Sequence, residues 1–164
     1  MKLKGKENSQ RGSAMLEAAL TMLTLLVLLF AIFEAGRLLN IQQTLTNAAR
    51  EGARLSVLPV WGGTDCLPST TTVQDRVNSF LSASGLNGAT ATVTVNDCCD
   101  TTCSPRSGTA CTGGLKPPPC ASGSIAYSRV TVTVPYKIVS ISMFSMLEVT
   151  LQGQATMRNE TNLQ

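Results

Sequence analysis

The amino-acid sequence predicts an α+β protein: a long N-terminal transmembrane and stalk helix, followed by a small head with a short helix on an antiparallel sheet and a disulfide-rich loop. Three features predict this class. Residues 13–33 contain a single charged residue, Glu17. Two later segments alternate valine with threonine, and five of the six cysteines lie within residues 97–123.

The composition argues against two broad classes of function. Four of the thirteen Lys and Arg residues and one of the ten Asp and Glu residues precede Ser13, so the rest of the chain is balanced in charge. A nucleic-acid-binding protein would need a basic surface there. The chain also has no histidine, which removes the usual general base and the imidazole metal ligand. We therefore expect no nucleic-acid partner, no enzymatic activity and no cofactor.

The apolar segment is long enough to cross a membrane. At about 1.5 Å per residue, residues 13–33 cover a hydrocarbon core of roughly 30 Å. The basic residues before the segment place the N-terminus in the cytoplasm and everything after about Arg37 outside it. A cleaved secretory signal peptide is the alternative, but the segment exceeds the usual apolar length and no small-residue cleavage site follows it. We expect one retained transmembrane helix over residues 13–36.

Glu17 is an unusual residue in such a helix, because a carboxylate in a membrane costs about 2.5–3.5 kcal/mol. The simplest interpretation is that its side chain reaches the cytoplasmic headgroups. However, Gly12 stands five residues before it, after a short basic leader. This arrangement resembles a type IV prepilin, whose peptidase cuts after a glycine and leaves glutamate at the fifth mature position. The resemblance implies a leader over residues 1–12, cleavage between Gly12 and Ser13, and a role for Glu17 in assembly.

The sequence after the span carries a closer resemblance. Residues 34–39 read EAGRLL and residues 43–54 read QTLTNAAREGAR. Together with the prepilin-like start, they resemble the TadE-like family, the pseudopilins or minor pilins of the tight-adherence (Flp, type IVc) pilus. The resemblance implies a bacterial inner-membrane protein with a periplasmic head, which can be incorporated into an extracellular pilus. It also implies three kinds of partner: a prepilin peptidase, the major pilin and other minor pilins.

The helix is expected to continue beyond the membrane as an amphipathic stalk over residues 37–58. Small and apolar residues recur there at helical spacing, namely Ile41, Leu45, Ala48, Gly52 and Leu55. Pro59 is expected to end the helix, followed by Gly62 and Gly63. The small residues allow close packing, either against the protein's own head or against a neighbouring subunit.

The head, residues 59–164, contains signals for one helix and three strands. Residues 72–83 have helical periodicity and are followed by Ser84-Gly85, which predicts a helix end. Residues 91–95 and 130–134 alternate between valine and small residues, mainly threonine, as half-buried strands do, and a third strand begins at 149–152. These elements predict the antiparallel sheet.

Residues 97–123 lack periodicity and are rich in Cys, Thr, Ser, Pro and Gly. A loop of this length needs either a function or covalent support. On the oxidising side of a membrane an even number of cysteines indicates disulfides, although the sequence cannot choose their pairing. The candidates are Cys66, Cys98, Cys99, Cys103, Cys111 and Cys120. A zinc tetrathiolate, free or intermolecular thiols, and calcium bound by Asp97 and Asp100 are the alternatives, and we expect no metal.

The function predicted from the sequence is structural: a minor pilin or pseudopilin that acts in pilus assembly and adhesion. The alternative is a membrane-anchored extracytoplasmic binding or adhesion module that is not built into a filament.

Overall fold

A computed structural model of the protein describes residues 6–60, 66–86, 91–111, 114–116, 120–121, 124–137 and 148–159. Its first element, α1, is a single helix over Lys6–Ser56. With 51 residues it is about 76 Å long. The predicted boundary between span and stalk, at residues 36 and 37, lies inside this continuous helix. The helix ends two residues before the predicted Leu58, and the predicted turn at Gly62 and Gly63 lies outside the described residues.

The second helix, α2, covers Thr70–Ala83 and contains the predicted range 72–83. It begins earlier because Ser69 caps it: the Ser69 Oγ accepts a hydrogen bond from the backbone N–H of Thr72 at 3.2 Å. At the other end the Ser84 N–H donates to the Phe80 carbonyl, and Gly85 has a φ of +78°. Glycine adopts this conformation without steric cost, which explains the helix end that the sequence predicts.

The main sheet has four antiparallel strands in the order β3-β2-β6-β7. They are β2 (Thr92–Cys99), β3 (Thr102–Pro105), β6 (Ala126–Lys137) and β7 (Glu148–Arg158). Their alternating valines face α1 and α2, and the threonines between them face away. The predicted α+β fold, with its long helix and its antiparallel sheet in a small head, is therefore confirmed.

The cysteine-rich segment contains more regular structure than its composition predicts. Besides β3, it holds β4 (Thr109–Cys111) and β5 (Gly114–Lys116), which pair with each other. Strand β1 (Leu67–Pro68) completes a second, three-stranded sheet in the order β1-β5-β4. These strands have two to four residues, too few to produce a detectable alternation. The expectation of an unstructured loop over residues 97–123 was therefore wrong for its described part.

The upper half of α1 packs on the inner face of the main sheet. Two glycines allow close packing here: a Cβ at Gly52 would lie 2.7 Å from Val77 Cγ2 on α2 and 3.2 Å from Val130 Cγ1 on β6, and one at Gly153 on β7 would lie 2.5 Å from the Leu45 carbonyl oxygen. The 2.7 Å and 2.5 Å distances are shorter than real Cβ contacts. The buried stripe that results is Ile41, Leu45, Ala48, Ala49 and Ala53. Of the two surfaces considered for the small residues of the stalk, the protein's own head occupies them.

Candidate functional site

The residues predicted for processing and assembly lie together on the exposed, lower half of α1. Gly12, Ser13 and Glu17 are all helical and exposed. Glu17 follows Ser13 by four residues, or about 6 Å along the helix axis. Among the described residues none forms a hydrogen bond or ion pair with Glu17. The structure thus leaves the three residues accessible, and their functional roles remain predictions.

The helix is long and apolar enough to cross a membrane, with a mean hydropathy of 2.4 over its most apolar window. None of that window is buried within the protein, and every side chain from Gly12 to Phe33 is exposed. A core helix of a soluble protein would be covered by its own fold. Leucine, methionine and phenylalanine side chains thus form an uncovered surface that lipid or neighbouring apolar helices would cover.

The two threonines of this segment do not interrupt its apolar character. The Thr21 hydroxyl donates to the Ala18 carbonyl at 2.9 Å, and the Thr24 hydroxyl donates to the Thr21 carbonyl at 2.8 Å. Hydroxyls bonded to the preceding turn need no water. Glu17 and Glu34 are then the first charged residues met on either side of the apolar run, about 25 Å apart along the helix.

Glu34 marks the point where the exposed half of α1 becomes the packed half. Its side chain is 6% exposed, whereas Phe33 beside it is 66% exposed. The Tyr136 hydroxyl on β6 donates to Glu34 Oε1 at 2.8 Å. The guanidinium carbon of Arg37 lies 5.4 Å from the centre of the Tyr136 ring, a cation–π distance. These three side chains attach the head to the helix at the level where the apolar segment ends.

Burial raises the pKa of Tyr136, and its hydrogen bond to Glu34 acts in the same direction. The protonated phenol is therefore the form that the folded protein favours. Sequence reasoning used Glu34 only as part of the family resemblance and did not identify its contact with Tyr136. The signal available in the sequence was an acid at the end of an apolar run, which would need a donor if it were buried.

The six cysteines form three disulfides: Cys66–Cys111, Cys98–Cys103 and Cys99–Cys120. Cys66–Cys111 closes the small sheet between the start of β1 and β4, Cys98–Cys103 links paired residues of the β2–β3 hairpin, and Cys99–Cys120 joins β2 to the segment after β5. These three disulfides give the cysteine pairing that the sequence could not choose. They also remove every thiolate that a zinc site would need.

The two aspartates considered for calcium have structural partners instead. Asp97 accepts hydrogen bonds from Arg106, whose Nη2 lies 2.8 Å from Asp97 Oδ1 and also donates to the Ser128 hydroxyl. Asp100 accepts from the Ile125 N–H at 2.9 Å, and this bond holds the pKa of Asp100 below its usual value. In the described part of the chain, no three His, Cys, Asp or Glu side chains are grouped as metal ligands.

Residues 12–54 match the family model described as TadE-like protein. Searches of curated proteins and of solved structures found no match. The matched residues cover the exposed half of α1 and nearly all of its packed half, and together with the apolar helix they indicate a membrane-anchored protein associated with a tight-adherence pilus. The resemblance predicted from the sequence is therefore confirmed over the N-terminal helix, where residues 12–54 are similar to TadE-like proteins.

Proposed function

We propose that this protein is a structural minor pilin or pseudopilin of a bacterial tight-adherence (Flp, type IVc) pilus, acting in pilus assembly and adhesion. One observation carries the proposal. The family match over residues 12–54 coincides with a helix whose first half is apolar and exposed and whose second half is fixed to a folded head. Such a helix suits insertion into a membrane and, later, packing beside the helices of other pilins.

In this proposal the chain crosses the bacterial inner membrane once, with its N-terminus in the cytoplasm and its head in the periplasm. A prepilin peptidase cuts between Gly12 and Ser13. Two features support cleavage at this position: both residues are exposed, and a Cβ at Gly12 would have no neighbour within 4 Å. Glycine in a helix costs about 1 kcal/mol relative to alanine, so the helix opens most easily there for a peptidase.

Glu17 has an assembly role in this proposal. No described residue of its own chain pairs with it, so its partner is either the headgroup region or another molecule. Cleavage after Gly12 releases an α-amino group at Ser13. In a bundle of pilin helices, an amine of this kind on one subunit neutralises the carboxylate of the next, which offsets the cost of burying both charges.

The experiment compares Glu17→Ala with wild type at equal expression and measures the protein that co-purifies with sheared pili. Removing the carboxylate leaves membrane insertion intact, because it removes a charge from the apolar segment. Recovery with the pili is expected to fall by about tenfold or more, since an ammonium in the bundle loses its partner. Asp75→Ala is the matched control, because Asp75 is an exposed acid of the head, and it should be recovered like wild type.

Equal recovery of Glu17→Ala and wild type in the pilus fraction would contradict the assembly role. Absence of wild type itself from that fraction, with the protein intact in the inner membrane, would favour the alternative of an anchored extracytoplasmic adhesion module. The polar, solvent-facing outer side of the four-stranded sheet is the observation that favours this alternative.

A further inference from the structure

The outer face of the main sheet is polar and lies open to solvent. Alternation along β2, β6 and β7 turns the valines toward the helices and leaves hydroxyl and amide side chains on the opposite face. The residues of this outer face are Thr92, Thr94, Asn96, Thr131, Thr133, Gln152 and Gln154. They form cross-strand rows, such as Thr94, Thr131 and Gln154.

One end of this face opens into a shallow cleft of about 390 Å³, lined by Tyr127, Arg129, Thr156, Met157 and Arg158. Arg129 pairs with Thr156 across the strands, and Tyr127 pairs with Arg158. The two arginines are therefore diagonal neighbours on the same face of the sheet, close enough for long side chains to converge on one ligand.

Neither arginine has a carboxylate partner among the described residues. Among the described residues, the aspartates of this end of the head are engaged elsewhere, Asp97 with Arg106 and Asp100 with the Ile125 N–H. Arg129 reaches only the Tyr127 hydroxyl, at 3.5 Å, and its guanidinium carbon lies 5.9 Å from the Tyr127 ring centre. Its Nε is buried without a hydrogen-bond acceptor. Two like charges and an unsatisfied donor in one cleft favour an anion that accepts from both guanidinium groups.

The position of the cleft excludes the protein's own membrane as the source of this anion. Tyr136 lies at the level of Glu34, where the apolar half of α1 ends. Tyr127 precedes Tyr136 by nine residues along the same strand, which corresponds to about 30 Å. The cleft therefore lies at the far end of the head, and the anion belongs to something outside the cell membrane that holds the anchor.

The composition of the face favours a sugar polymer over a protein as the ligand. Protein interfaces usually have an apolar or aromatic centre. Here the aromatic and apolar side chains, Tyr127 and Met157, lie in the cleft at one end, and the adjoining face presents mainly threonine, asparagine and glutamine. Such side chains both donate and accept hydrogen bonds, as the hydroxyls of a polysaccharide require. We propose that the cleft and the adjoining face bind an acidic polysaccharide. Its carboxylate accepts hydrogen bonds from Arg129 and Arg158, and its hydroxyls bond to the threonine, asparagine and glutamine side chains.

The test uses the full chain in nanodiscs of zwitterionic phosphatidylcholine, so that neither filaments nor anionic lipids take part. Four probes are compared at equal ionic strength: polygalacturonate, its methyl ester, polyglutamate and inorganic polyphosphate. Polygalacturonate is expected to bind at least about tenfold more tightly than each of the others, because only it combines carboxylates with sugar hydroxyls.

The double variant Arg129→Ala/Arg158→Ala should weaken polygalacturonate binding by about a hundredfold, because each of the two charge-assisted contacts contributes about tenfold or more. The matched control Arg50→Ala/Arg54→Ala removes two exposed arginines from α1 and should bind like wild type. Arg158→Gln alone changes an exposed side chain, so it provides a variant whose folding, checked by thermal unfolding, is unaffected.

Three results would overturn the proposal: no binding of polygalacturonate, equal loss of binding in the α1 control, or wild-type affinity in Arg158→Gln and the double variant. Polyglutamate or polyphosphate binding as tightly as polygalacturonate would also overturn it, since the cleft would then recognise negative charge alone. Because no pilus is present, the outcome is independent of the result for Glu17→Ala.

Discussion

Replacing Tyr136 by phenylalanine is expected to loosen the attachment of the head to α1 while leaving the rest of the head folded. The substitution removes one hydroxyl, which donates at 2.8 Å to the carboxylate of Glu34. Both side chains are almost fully buried, at 8% and 6% exposure. A hydrogen bond to a charged group contributes about 1.5–3 kcal/mol, so the variant should open this junction about tenfold to a hundredfold more often.

Hydrogen–deuterium exchange of the full chain in detergent micelles measures this opening locally. Exchange should accelerate in the first residues of β7 and in the part of α1 just after Glu34, while the β2–β3 hairpin keeps its wild-type rate. Tyr127→Phe is the matched control, because the Tyr127 hydroxyl donates to the Asp100 carbonyl at the far end of the head. Unchanged exchange near Glu34 in Tyr136→Phe would refute the reasoning, and so would a uniform increase throughout the head.

The same contact predicts a dependence on alkaline pH. The pKa of Tyr136 is raised above its ordinary value of 10.0, first because burial disfavours the phenolate and second because the protonated phenol bonds to Glu34. In the unfolded chain the phenol of Tyr136 ionises near pH 10. The contribution of this residue to stability is therefore complete below about pH 10 and is lost as the pH rises through the folded-state pKa. The difference in exchange between wild type and Tyr136→Phe should shrink over that range.

Three further predictions concern the leader, the helix packing and the disulfides. Gly12→Leu should leave the leader uncut, which intact-protein mass spectrometry detects as a heavier chain; a chain of mature mass would contradict cleavage after this glycine. Gly153→Ala should lower the free energy of unfolding by about 1–3 kcal/mol, since the new methyl group meets the Leu45 backbone; an unchanged denaturation midpoint would contradict the close approach. Replacing Cys66 and Cys111 by serine should lower the free energy of unfolding by about 4 kcal/mol, and replacing Cys98 and Cys103 should lower it by about 2 kcal/mol. The difference arises because the Cys66–Cys111 disulfide closes the longer loop. Equal losses in urea denaturation would count against this account.

The sequence predicted the elements whose buried and exposed residues alternate with a regular period, and it missed the parts where polar residues are buried. The valine–threonine pattern located β2 and β6, but both strands continue past it toward the cysteine-rich end. The inward positions there are Asp97 and Ser128, which bond to the buried Arg106. A charged network replaces valine in this part of the core, so the apolar alternation stops although the strand pairing does not.

The candidate site likewise contains residues that short-range sequence spacing identifies and contacts between residues far apart in the sequence. Gly12 and Glu17 are close in sequence, and their spacing identifies them without a structure. The contact between Glu34 and Tyr136 joins residues that are 102 positions apart, and nothing local to either residue indicates its partner. The pairing of Arg129 with Thr156 likewise depends on the register between β6 and β7, which periodicity alone does not supply.

The division of α1 into two halves limits which part of the helix can contact other helices. The small residues of its upper half allow close helix packing, but the sheet of the same chain already covers Ala48, Ala49 and Ala53. A neighbouring pilin cannot use that stripe unless the head detaches from the helix, and the Glu34–Tyr136 hydrogen bond opposes detachment. The apolar half below Glu34 is therefore the part of the helix left free for contact with other helices. Since Glu17 is the only charged residue between Ser13 and Phe33, its carboxylate is the group that can give such a contact specificity, whereas the leucines around it supply apolar area without selecting a partner.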